Sequence, residues 1–158
     1  MRLAPLQLES RVNLGSLLVR LGHADEGLSI LREEVRAHPR YPPALYALAD
    51  ALDRTGLGGQ GFPYLDTATR IDPFYPNAYY LRGKLLFETG HKPEAAVAMR
   101  KFLGLWDQEG PYRDAALRVI ARAEQAEPGA RGEADGARAG TARPSPPPVP
   151  ASPLPPFR

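Results

Sequence analysis

The chain has 158 residues, no cysteine, 20 basic and 18 acidic side chains, and a formal charge of +2. The missing cysteine excludes disulfides, thiolate catalysis, cysteine–zinc sites and cysteine-linked lipid anchors. The charge excess lies beyond Glu127, where Arg131, Arg138, Arg143 and Arg158 outnumber Glu133 and Asp135; the body is neutral, lacks the basic stripe that phosphate binding needs, and no nucleic-acid partner is expected.

The first ten residues hold one arginine and no continuous apolar core, unlike a signal peptide, and no apolar run nears the ~20 residues of a membrane span. A cytoplasmic protein is expected. The preference for Arg over Lys, with abundant Ala, Gly and Pro, matches a GC-rich bacterial genome.

After a lead-in over 1–7, Leu14, Leu17, Leu18 and Leu21 fall at helical spacing, and Gly22 closes that helix. Asp25 is expected to cap a second helix through Leu28, Leu31 and Val35 to about His38, before Pro39. Pro43 opens a third, with a stripe of Leu45, Leu48 and Leu52, and Gly56 ends it. Gly58, Gly59 and Gly61 disfavour helix, so its partner is expected to start late, near Phe62 or Pro63, and to run to Ile71. A third pair follows: Pro76 to Thr89, closed by Gly90, then Pro93 to Trp106. After Gly110-Pro111 one more helix, to about Ala126, carries Ala115, Ala116, Val119, Ile120 and Ala123 on one face, as a terminal cap needs. Residues 128–158 are rich in Pro, Ala, Gly, Arg and Ser, and a disordered tail with polyproline character after Arg143 is expected.

These elements repeat every 34 residues: Pro39 and Pro73; Gly22, Gly56 and Gly90; Leu18, Leu52 and Leu86; Leu31, Leu65 and Met99. A period of this size marks stacked helix pairs. With Leu14-Gly15, Gly27 and Leu31 in one unit, Leu48-Ala49, Gly61, Leu65 and Ala68 in the next, and Gly83, Ala95 and Met99 in the third, the pattern resembles the tetratricopeptide repeat (TPR) family. Arg11 in the tryptophan column, Arg82 for a leucine and Asp107 for the last proline depart from it. The resemblance implies an all-α, right-handed helical solenoid over 8–127, with repeats at about 8–41, 42–75 and 76–109 and a capping helix at about 111–127.

It also implies a concave groove lined by the first helix of each repeat. The inner-face positions by helical spacing are Val12, Asn13, Ser16, Val19 and Arg20; then Tyr46, Asp50, Asp53 and Arg54; then Asn77, Tyr80, Lys84, Phe87 and Glu88. Exposed rings with interleaved charges suit an extended peptide or a helix, with Asp50, Arg54 and Lys84 setting register. The alternative for the tyrosines is packing between units or on the cap. Some TPR domains clamp a C-terminal carboxylate, but the corresponding places hold Val12, Ser16, Ala47, Lys84 and Leu81, which argues against it.

Nothing points to catalysis or to a cofactor. His23 and His91 stand two periods apart, each after a helix-closing glycine, and read as turn residues, leaving no metal site. The Gly56–Gly61 stretch follows no strand and precedes no Lys-Ser or Lys-Thr, so it reads as a turn, not a phosphate cradle. A non-enzymatic protein–protein interaction scaffold or adaptor is expected. The alternative is a regulatory or assembly subunit of an enzyme or of a secretion or pilus complex, docking through its N-terminal edge or tail. Leu3, Leu6 and Leu8 add apolar area at that edge: the lead-in folds over it, a second copy covers it in a homodimer, or the chain is the C-terminal part of a longer repeat protein. The tail's Pro153–Arg158 fits a P-x-x-P motif; it binds a partner, fills its own groove beside Tyr46 and Tyr80, or is inert.

Overall fold

The computed structural model describes residues 5–125. These form seven α-helices: α1 (Pro5–Arg20), α2 (Ala24–Ala37), α3 (Pro42–Arg54), α4 (Phe62–Ile71), α5 (Pro76–Glu88), α6 (Lys92–Leu105) and α7 (Pro111–Gln125). Residues 1–4 of the expected lead-in, the last two of the expected cap and the whole tail lie outside the described residues. No described helix is long and apolar enough to cross a membrane.

The period is visible in the backbone. Gly22, Gly56 and Gly90 have φ of +93°, +80° and +85°, the left-handed conformation that glycine adopts without Cβ strain. Each ends a first helix with the same pair of bonds. Gly22 N–H donates to Val19 O at 3.2 Å and His23 N–H to Leu18 O at 2.9 Å; Gly56 and Leu57, then Gly90 and His91, repeat the pattern. This double bond satisfies carbonyls that a helix end would leave unpaired.

Helix starts differ from expectation in two places. α1 begins at Pro5, three residues ahead of Leu8. Asp25 does not cap α2: His23 holds that position with no side-chain bond, and Asp25 lies in the first turn with Glu26, where negative charge favours the helix dipole. In the second repeat a 3-10 turn over Gly58–Gly61 replaces the first turn of the second helix, leaving α4 with 10 residues against 14 in α2 and α6. A Cβ at Gly58 would sit 2.8 Å from Leu85 Cδ2, so the glycine lets α5 approach closely.

Each helix packs on the next, and the first helices also touch in succession, α1 with α3, α3 with α5 and α5 with α7. They form an inner layer. The second helices α2, α4 and α6 lie outside that layer, so its inner face belongs to α1, α3, α5 and α7. Three apolar clusters fill the stack. Leu28, Leu31, Leu48 and Leu52 join α1–α3; Leu45, Leu65, Leu81 and Leu85 join α3–α5; Tyr80, Met99, Phe102, Trp106 and Val119 join α5–α7. Each large side chain fully buried this way contributes roughly 1.5–3 kcal/mol.

Candidate peptide-binding face

Aromatic rings cross the inner layer. Tyr46, on α3, is half-buried and meets Tyr75 edge-on, with centroids 6.0 Å apart and planes at 77°. Tyr75 precedes Pro76 at the start of α5 and hydrogen-bonds with the Asn77 side chain. Tyr112, in the first turn of α7, lies in electrostatic range of Tyr46, Asp50, Arg54 and Arg20, so the cap helix brings a ring to the middle of the face. Behind it, Tyr112 meets Tyr80 edge-on at 5.3 Å, and Tyr80 meets Phe102 at 5.1 Å.

Burial raises the pH at which these phenols ionise. Tyr46 and Tyr75 are pushed well up, Tyr46 further by the nearby Asp50 carboxylate, and Tyr80 is pushed up to about 12. All stay neutral donors and apolar platforms at ordinary pH.

The charges on the face are paired within the chain. Arg54 Nε donates to Asp50 Oδ2 at 2.7 Å, one turn away on α3. Lys84, on α5, reaches across to Asp53 and also lies 3.6 Å from Glu88. Burial raises the Glu88 carboxyl above its usual range; Lys84 opposes the shift and Asp53 adds to it. The expected register-setting role of Asp50, Arg54 and Lys84 therefore competes with bonds that hold α3 to itself and to α5.

Several expected groove residues are not accessible. Val12, Tyr46 and Tyr80 stand one period apart, but Val12 is 5% and Tyr80 6% exposed. The next inner helix covers each: α3 covers Val12, and α7 with Phe102 covers Tyr80. The cap-packing alternative therefore holds for Tyr80, while Tyr46 is half-buried. Asn77 is 4% exposed, with its Oδ1 unpartnered. Asn13 is exposed, Ser16 is half-buried with Oγ donating to Val12 O at 3.0 Å, and Phe87 packs against the α5–α7 cluster. Tyr75 and Tyr112 escaped the sequence reading. Tyr75 follows Tyr41 by one period, each before a proline, which was a usable signal; Tyr112 gave none, because its place depends on where α7 lands.

The sequence matches no family model and no curated protein. Solved structures share the fold. The P58(IPK) TPR domain superposes with a TM-score of 0.69 at 24% identity, covering 75% of this chain and 33% of that one, so this chain spans about a third of its length. The Sgt2 TPR domain of Aspergillus fumigatus gives 0.69 at 20% identity, covering 87% and 92%. The first TPR of Spaghetti (RPAP3), bound to the HSP90 peptide SRMEEVD, gives 0.68 at 19%, covering 80% and 97%. At these identities the likeness is one of fold.

Proposed function

We propose that this chain, a tetratricopeptide-repeat array by its fold, works as a non-enzymatic adaptor that holds a peptide or helix of a partner protein on its concave face. The observation that carries the reading is the run of half-buried rings, Tyr46, Tyr75 and Tyr112, contributed by three separate elements to one face. Rings of this kind supply large contact area at low entropic cost, and a phenol hydroxyl can meet a peptide backbone. Asn13, Ser16 and Phe87 border the face, and the Asp50–Arg54 and Asp53–Lys84 pairs hold its floor rigid. The fold neighbours support this reading, one of them carrying a bound peptide.

A second reading rests on the opposite edge. Leu14 and Leu17 are 47% and Leu21 66% exposed, whereas Leu48 and Ala51, one period after the first two, are 1% and 2% exposed under the preceding repeat. This edge fits docking to an assembly partner or to a second copy.

Peptide-display selection on the full chain separates the two. Recovery of aromatic- or proline-bearing peptides that bind wild type and Leu17→Lys, but not Tyr46→Ala/Tyr112→Ala, is expected. Retained binding by the tyrosine variant, with loss in Leu17→Lys, would move the site to the N-terminal edge.

A further inference from the structure

The sequence beyond Gln125 contains a segment matched to the tyrosine face. Pro144, Pro147, Pro150, Pro153 and Pro156 recur at every third residue. A polyproline II helix has three residues per turn and ~3.1 Å rise per residue, so that spacing lines all five rings along one ridge, about 9 Å apart. The segment 144–157 carries no ionisable side chain. The inner face is matched in kind: Asp50 and Asp53 are paired with Arg54 and Lys84, and Tyr46, Tyr75 and Tyr112 are partly exposed beside them.

We propose that residues 144–157 dock in cis on Tyr46, Tyr75 and Tyr112, with the proline ridge against the rings, and that an outside peptide must displace them. The proposal rests on the adaptor reading of this face and names its resident competitor. Proline rings pack flat on aromatic rings, and a preformed polyproline helix loses little entropy on docking. The tether has the right reach. Tyr112 is on the face, and α7 carries the chain about 20 Å from it by Gln125, at ~1.5 Å per residue. A random-coil tether as long as the stretch 126–143 would span about 24 Å root-mean-square. A linker that matches its span gives an effective concentration in the millimolar range, enough to fill the face with a weak segment.

Because the chain has no cysteine, Ser152→Cys places a single nitroxide label in the full-length protein. Paramagnetic broadening of the backbone amides of Tyr46, Asp50 and Tyr112 is expected, with none transferred to an isotopically labelled, spin-free copy in the same tube. Replacing the ridge residues Pro147, Pro150 and Pro153 with Ala removes the broadening and strengthens binding of a display-selected peptide, about tenfold for a segment whose own Kd is about a tenth of its millimolar effective concentration. Replacing the off-ridge Pro146, Pro148 and Pro155 with Ala leaves both unchanged. Broadening confined to the end of α7, equal effects of the two proline sets, or transfer to the spin-free copy would overturn docking in cis. Selected peptides that still require Tyr46 and Tyr112 would then leave the adaptor reading standing.

Discussion

At the N-terminal end of the stack Arg11 pairs with Glu34; two periods later the same two columns hold Tyr79 and Phe102, and between them Leu45 and Ala68. All three pairs sit where a first helix meets its second helix. The side chain of Arg11 is 45% exposed while that of Glu34 is 4% exposed, so solvent still reaches one partner of the ion pair. Phe102 is fully buried, stacked on Trp106 at 5.5 Å under α7. Among the described residues no helix covers the edge beside Arg11, and Leu14, Leu17 and Leu21 are exposed there. The repeat therefore dictates where contacts occur, and the neighbours decide what chemistry can fill them. An open end accepts a charged pair, whereas an end closed by a cap can bury a group of aromatic rings.

The sharpest way to break this contrast is Phe102→Ala. It should cost about 3–5 kcal/mol, read as a shift in the urea midpoint, because the aromatic cluster cannot collapse around the void. A loss under about 1 kcal/mol would mean that the capped end does not hold the stack together.

Glycines test the same contrast through backbone approach. A Cβ on Gly27 would lie 2.5 Å from Gly15 O and 2.9 Å from Val19 N, both backbone atoms of α1. The three atoms nearest a Cβ on Gly83 all belong to the Met99 side chain, the first at 2.9 Å. Gly27→Ala should cost about 1–3 kcal/mol and Gly83→Ala less, since its nearest neighbours are side-chain rather than backbone atoms. Equal losses in thermal melts would erase the distinction.

The buried Tyr80 phenol adds an alkaline signature to the capped end. Its ionisation is raised from 10.0 to about 12 by burial. The unfolded chain releases that proton first, so stability falls as pH rises from 10 through 12, by on the order of 2 kcal/mol. Tyr80→Phe should remove its share of that fall and leave the part due to the raised Tyr46 and Tyr75 phenols, followed by circular dichroism across the window.

The smallest net effect is expected from exchanging the ion pair at the open end. Arg11→Ala leaves the Glu34 carboxylate buried without its cation and should lower the urea midpoint, by less than Phe102→Ala. Arg11→Leu with Glu34→Ala imports the pair of the middle repeat and should restore the midpoint, because well-packed apolar groups replace a desolvated ion pair at little cost. A double variant worse than Arg11→Ala would show that the ion pair stabilises this end.

The helix-closing glycines, the late start of α4 and the apolar face of α7 were legible because each depends on residues within a few positions. A left-handed glycine and its two hydrogen bonds are completed inside one turn, and Ala116, Val119 and Ala123 share a face by spacing alone. The candidate site was legible only as a set of columns. Position in the repeat marks Val12, Tyr46 and Tyr80 as equivalent, yet α3 buries the first, α7 buries the last, and Tyr46 stays half-open beside Tyr75.

By itself, then, the sequence determined the number, order and turns of the helices, since local backbone satisfaction and apolar periodicity suffice for those. Only the tertiary structure decided that Asp53 meets Lys84, that Tyr112 comes back to the face of α3 and that Tyr80 is closed over. Those outcomes depend on how far the stack curves from one repeat to the next, which is the sum of many contacts between residues distant in the chain.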